Sequence, residues 1–349
     1  MYCYIIYTLF FNSFASRVYF QHFCLEKEGL FPEFMEVKSA EVSSSAPLQK
    51  EKQVHDNLRS HPYILDCYGE ETTTTKNGRM IYNILLEYAS GGTLSSLIKQ
   101  FDGCGLPESD VSTYTRCILE GLHYIHGNGY VHCDMKPENV LLVSDENGDS
   151  FVPKIGGFGL AKRYLNSKRM KFDPNFGGTP LYRAPETVMD RIQEPLCDIW
   201  ALGCIVLEML TGQNVWNLKP NMETDEIFGK IKNRYEMPKI PTHISKEGKD
   251  FLKRCLVRNP KFRFTAEMLL CHPFVSGSDD DLNNDADDEL SDSSFSEPEE
   301  SSDDERVNCS PLENDADDEL SDWSFSEPEE DYPTCWRDDR VKIKRMKFK

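Results

Sequence analysis

His132 Cys133 Asp134 Met135 Lys136 Pro137 Glu138 Asn139, followed by Val140 Leu141 Leu142, is the stretch on which the reading of this 349-residue chain turns. Within eight residues it combines a carboxylate, an ammonium and an amide, and it follows an apolar helical segment. A lone Asp and Lys two apart mark an ordinary solvated loop. An Asp and an Asn five apart with a Lys between them meet a narrower demand: a proton acceptor, a positive charge beside a developing anion, and a neutral oxygen that can face a cation. Phosphoryl transfer makes that demand, because orientation and charge compensation dominate it and covalent help from protein is small.

Other motifs flank the loop. Phe34 Met35 Glu36 Val37 Lys38 reads as a strand, and the spacing of Leu48, Val54 and Leu58 predicts a helix over 47–59 that carries Glu51 between Lys50 and Lys52. Met80 to Leu86 is an apolar strand entered through Lys76 Asn77 Gly78 Arg79, and Asn followed by Gly favours a tight hairpin. It leads into Glu87 Tyr88 Ala89 Ser90 Gly91 Gly92. Downstream lie Gly157 Phe158 Gly159, then Gly177 Gly178 Thr179 Pro180 Leu181 Tyr182 Arg183 Ala184 Pro185 Glu186, then Asp198 Ile199 Trp200 Ala201 Leu202 Gly203, and finally Asn259 Pro260 Lys261 Phe262 Arg263. Taken together these segments resemble the motifs of a protein kinase, and from about Phe34 to Phe274 the chain is similar to plant MAP kinase kinase kinases.

The resemblance implies an α+β, two-lobed fold with a small β-rich lobe, incomplete if its first strands are missing, and a mainly helical large lobe. It implies ATP and Mg2+ as cofactors. Asp134 would accept the substrate hydroxyl proton, Lys136 would sit near the moving phosphate, and Asn139 would hold a magnesium ion. Thr179 would support Asp134 and Lys136. Lys38, paired with Glu51, would contact the nucleotide phosphates; backbone groups of Glu87 and Ala89 would bond adenine, with Leu86 guarding the back of the pocket and Leu141 forming its floor. Asp198 would hold the loop by backbone hydrogen bonds, Arg263 would pair with Glu186, and His132 would pack beneath Phe158 without a catalytic part. Cys133 stands where the family usually has an arginine that grips a phosphorylated loop, so switching by loop phosphorylation is not expected.

Three departures bear on nucleotide. The residues before position 31 contain one glycine, Gly29, where the family has a glycine-rich loop; Ser13 Phe14 Ala15 Ser16 Arg17 Val18 is the nearest relic. Glu36 stands where the family has alanine against the adenine face, so a carboxylate is buried there at a cost of several kcal/mol; a register slip in an edge strand is the milder alternative. Gly157 stands in the usual position of the aspartate that binds metal, and loss of such a contact typically costs about 3–4 kcal/mol in the transition state. The flexible pair Gly156 Gly157 also predicts a poorly positioned Phe158.

Composition divides the chain into an atypical segment, 1–30; a kinase-like domain, 31–275, with its small lobe running to about 89; and an acidic tail, 276–349. The net charge of −20 resides in the tail: Gly277 to Arg340 carries −23, Val341 to Lys349 carries +5, and the remainder is close to neutral at −2. The motif Asn284 Asp285 Ala286 Asp287 Asp288 Glu289 Leu290 Ser291 Asp292 returns 30 residues later as Asn314 to Asp322. Such composition predicts disorder, punctuated by aromatic and leucine residues suited to docking. The 12 cysteines show no disulfide or metal spacing, which fits a reducing compartment, cytoplasm or nucleus. Met1 to Phe11 is too short to span a membrane and makes a poor secretory signal. Nothing points to nucleic acid.

Two functional classes follow. One is an active Ser/Thr kinase acting on a MAP kinase kinase. The other, favoured by the three departures, is a pseudokinase or scaffold that holds a MAP kinase kinase or other signalling proteins. In the tail, Ser294, Ser296, Ser301, Ser302, Ser324 and Ser326 each precede an acidic residue by three positions, so an acid-directed kinase is an expected partner. Intact-mass analysis of the chain from cells is expected to show phosphate on this segment; an unmodified tail would sink that assignment.

Overall fold

The computed structural model describes residues 3–13 and 16–25 as backbone, and 34–58, 61–145, 147–148, 150–164, 178–216 and 224–276. The tail repeat, its serines and the basic end lie outside the described residues. So do residues 165–177.

Strands β1 (Cys3–Ser13), β2 (Ser16–Leu25) and β3 (Phe34–Glu41), helix α1 (Ala46–Asn57), and strands β4 (Cys67–Thr74) and β5 (Met80–Glu87) build the small lobe. The strands form one antiparallel sheet in the order β1-β2-β3-β5-β4. The glycine-poor start, set apart in the sequence as an atypical segment, thus supplies two strands of the same sheet. Its aromatic and β-branched residues suit a pleated surface even without the glycines. β3 is an interior strand, hydrogen-bonded to β2 and β5, so it has two neighbours fixing its register and an edge-strand slip does not occur. Its alternation buries Met35 and Val37 on one face and leaves Glu36 and Lys38 half-buried on the other. β4 and β5 are joined by the Asn77 Gly78 turn, where Gly78 adopts φ +77° and donates to the Thr75 carbonyl at 2.9 Å. α1 begins with proline in its first turn and buries Leu48, Glu51, Val54 and His55.

The large lobe follows with α2 (Leu94–Gln100), α3 (Glu108–Gly127), β6 (Tyr130–Val131), β7 (Val140–Ser144), β8 (Phe151–Ile155), β9 (Lys162–Arg163), α4 (Pro185–Asp190), α5 (Pro195–Thr211), α6 (Thr224–Lys232), α7 (Lys246–Cys255), α8 (Ala266–Leu270) and α9 (Pro273–Ser276). β6 pairs with β9 and β7 with β8. This is the α+β, two-lobed architecture that the motifs implied. α5 is apolar nearly all round, and Ile199, Trp200, Leu202, Cys204, Ile205 and Val206 are fully enclosed, so it is the central pillar of the lobe. Gly203 lets it approach α7: a Cβ there would come within 2.7 Å of the Cys255 side chain. Among the described residues no helix is long and apolar enough to cross a membrane.

The base of α5 is fastened by an ion pair. Arg263 donates to both oxygens of Glu186, at 2.7 and 3.1 Å, and also to the carbonyls of Leu196 and Val257; its guanidinium lies over the Trp200 ring. Both side chains are almost wholly enclosed, so removing one leaves the other charged and buried, at a cost of roughly 3–5 kcal/mol. Arg263→Met is therefore expected to lower the urea midpoint by the equivalent of that amount, while Glu186→Gln with Arg263→Met together should recover part of the loss; equal midpoints for wild type and Arg263→Met would contradict this account.

Candidate active site

The residues singled out in the sequence form two groups of side chains, one on each lobe. On the small-lobe side Lys38 Nζ lies 2.9 Å from Glu51 Oε1 and 2.7 Å from Oε2, so strand β3 and helix α1 are tied across 13 residues of sequence. Glu51 is buried, which makes the ammonium a required companion. The tie also fixes where Glu36 lies, two residues earlier on the same face and directly across the ladder from Leu86. Burial pushes the Glu36 carboxyl up to about 7 against the opposing influence of Lys38.

Leu86 and Ala89 belong to one apolar cluster with Ala40, Leu48, Leu65 and Val143, and Leu141 packs against it from β7. The Ala89 N–H has no acceptor among the described residues, whereas its carbonyl accepts from Gly92 at 3.0 Å. Glu87 turns its side chain the other way: its carboxylate accepts from Lys154 Nζ at 2.7 and 2.8 Å and from the Asp66 N–H at 3.1 Å. No sequence motif announces this clasp, because it joins isolated charges 67 positions apart.

On the large-lobe side Asp134, Lys136, Asn139 and Thr179 converge. Asp134 Oδ1 accepts from the Thr179 N–H at 2.9 Å and from its hydroxyl at 3.3 Å. Asp134 Oδ2 lies 3.1 Å from Lys136 Nζ, which also donates to Thr179 Oγ1 at 2.9 Å. Asn139 Nδ2 donates to the Asp134 carbonyl at 2.7 Å and reaches its Oδ2 at 3.3 Å. The turn is fixed from below by Asp198, which accepts from the His132 and Cys133 N–H groups at 2.8 and 3.0 Å and lies 3.0 Å from His126 Nε2. Cys133 is held at φ +66°, a left-handed conformation uncommon for a side chain of this kind, and burial with Asp198 nearby raises its thiol well above the ordinary range.

Phe158 is fully buried, contrary to the expectation that the neighbouring glycines would leave it poorly placed. Its ring is held between His132, 5.1 Å away, and His55 of α1, 4.9 Å away and edge-on. His132 donates from Nε2 to the Gly156 carbonyl at 2.9 Å and accepts at Nδ1 from the Asp134 N–H. Burial lowers His55 to about 4. Sequence inspection passed over His55, whose only signal was a helical spacing of one from Val54.

Gly157 differs most from a metal-binding position. It adopts φ +77° and ψ +42°, and a Cβ placed there would meet Asn139 Oδ1 at 2.4 Å and its Cγ at 2.6 Å. The Asn139 amide therefore fills the space that a side chain at 157 would need. Among the described residues no group of three or more His, Cys, Asp and Glu is placed to hold a metal ion.

Comparison with known proteins decides the family. The sequence profile described as the protein kinase domain matches residues 33–275. The chain belongs to the protein kinase family. It is 45% identical over 251 residues to mitogen-activated protein kinase kinase kinase 20 of Arabidopsis thaliana, covering 71% of each chain. It is also 40% identical over 253 residues to kinase kinase kinase 17 of that plant, covering 71% of this chain and 64% of the relative, and 37% identical over 255 residues to kinase kinase kinase 18, covering 72% of each. This kinase-family chain is thus similar to plant MAP kinase kinase kinases. The profile begins just before β3, so the two outer strands complete the sheet through a sequence it does not match.

Glu36 yields a test of the cleft. Its folded carboxyl, raised to about 7, binds protons that the unfolded chain has released, so the folded state is progressively disfavoured as pH rises from about 4.5 to 7, and fully so above that. Glu36→Gln is expected to raise the melting temperature at pH 8 and to change it little at pH 4.5; an equal shift at both would assign the effect to packing.

Proposed function

We propose that this chain is a MAP kinase kinase kinase-like signalling protein whose phosphotransfer is weak or absent and which acts by holding partners. The reading rests on one observation above all: position 157 offers no ligand to a cation, and Asn139 has turned into its space. Magnesium would bridge the phosphates and neutralise developing charge, and the residues present do not fit it as the family's pair of ions requires. The nucleotide fits better. Lys38 with Glu51 would position its phosphates, the Ala89 N–H and the Glu87 backbone would meet the base, and Leu86 and Leu141 would enclose it, with Glu36 weakening the fit. The partner expected on the strength of the relatives' names is a MAP kinase kinase, with the tail repeat as an additional docking element and the cytoplasm or nucleus as the place of action.

A second reading has its own support. Asp134, Lys136 and Thr179 are hydrogen-bonded as one unit, and Asp198 holds the loop beneath them, which supports an active Ser/Thr kinase. Here Asp134 would accept the hydroxyl proton and Lys136 would stabilise the transferred phosphate, with Asn139 as sole metal ligand. The residues outside nucleotide contact serve both readings equally.

Transfer of labelled γ-phosphate to a generic protein substrate separates them, using the chain as written, Gly157→Asp and Asp134→Asn. Asp tolerates left-handed backbone better than most residues, and the Asn139 amide is the movable end of a side chain. The expected outcome is little or no transfer by the first form and a gain of about a hundred- to thousandfold in Gly157→Asp. Transfer by the unaltered chain that vanishes in Asp134→Asn would establish the active reading instead.

A further inference from the structure

The acidic groups around the cleft are already engaged. Both oxygens of Glu51 face Lys38. Asp134 Oδ1 takes two donors from Thr179, and its Oδ2 faces Lys136 and Asn139. Both oxygens of Asp198 are bonded to the backbone of the turn. Glu36 lies at the other end of the cleft, across from Leu86. Among the described residues the oxygen nearest to a Cβ at Gly157 is Asn139 Oδ1, a neutral one. Magnesium sheds its water reluctantly and is held in nucleotide sites through one or two carboxylates together with the phosphates. A single amide oxygen does not replace them. Two ammonium groups accompany these carboxylates, Lys38 on Glu51 and Lys136 on Asp134.

We infer that the cleft takes a nucleoside triphosphate as the free anion, without a divalent cation, and that magnesium in solution weakens the binding by converting the nucleotide to a less negative complex. The inference rests on the reading of this cleft as a nucleotide site. Two ammonium groups attract the fully charged triphosphate more strongly than its metal complex, and no carboxylate among the described residues stands at 157 to offset the difference by coordinating the ion. Asn139 takes part as a positioning residue: its amide bonds to Asp134 and occupies the side-chain space at 157, so the metal-binding volume is filled from within the protein.

The test is isothermal titration of the full chain with ATP, in excess EDTA and in excess magnesium chloride, with ionic strength matched by potassium chloride. Binding at least fivefold tighter in EDTA is expected, and calcium or manganese should weaken it as magnesium does. Gly157→Asp is expected to bind more tightly with magnesium than without, which shows that the carboxylate missing at 157 sets the preference; if that variant does not fold, Asn139→Asp places a carboxylate beside the same space. Equal or tighter binding by the unaltered chain in magnesium overturns the inference while leaving the nucleotide site standing. No heat and no thermal stabilisation with ATP in either condition overturns both.

Discussion

The carboxylate of Asp198 is the point from which the large-lobe side of the cleft is held. It is 1% exposed and accepts two backbone N–H groups from consecutive residues, His132 and Cys133. Such bonds to a buried carboxylate are stronger than neutral ones, and here they are spent on a strained backbone, since Cys133 occupies a left-handed conformation that costs about 1–2 kcal/mol for an L residue. With the turn fixed, Asp134 and Lys136 point toward Thr179, Asn139 folds back onto Asp134, and His132 supports Phe158. Asp198 is itself rigid because α5 is enclosed on almost every face and is locked at its base by Glu186 and Arg263. Central helix, ion pair and loop therefore make one mechanical unit.

The contrast with the small lobe is chemical rather than architectural. Its sheet has five strands and its lysine reaches the glutamate of α1, so the frame is whole. What has changed is the lining. A carboxyl stands at Glu36 and glycine at 157, two positions at which the sequence departs from the family pattern. Neither change disturbs packing: Glu36 sits on a half-buried face, and Phe158 beside Gly157 is fully enclosed.

Much of this was legible in the sequence, for an identifiable reason. Lys38 with Glu51, Glu186 with Arg263, and Asp198 with the loop are pairs between recognisable motifs, so the resemblance located both partners although they lie 13, 77 and 66 residues apart. Helix α1 was also readable from local spacing, its observed ends Ala46 and Asn57 falling close to the expected 47–59. The β1–β2 pairing was obscured by attention to missing glycines, although runs of Phe, Tyr, Ile and Val announced strands. The pose of Asn139 could not be read at all, since it depends on what a neighbour 18 positions away lacks. The same is true of His55, whose neutral, buried ring is set by its contact with Phe158 rather than by helical period.

The clasp on Glu87 fixes one end of the linker between the two lobes. Its carboxylate holds Lys154 of β8 and the Asp66 N–H, and its own N–H returns to the Asp66 carbonyl at 2.9 Å, so the end of β5 is pinned to segments on either side of it. A few residues later Gly91 donates to the Leu142 carbonyl at 2.9 Å, and a Cβ on it would press within 2.8 Å of Leu142, which pins the far end. Between these two points lie Tyr88, Ala89 and Ser90, of which Ala89 accepts from the Gly92 N–H and Ser90 meets the Ser144 hydroxyl at 2.6 Å. The Ala89 N–H therefore lies between two fastened points of the linker, so its direction is set by the contacts of Glu87 on one side and of Gly91 on the other.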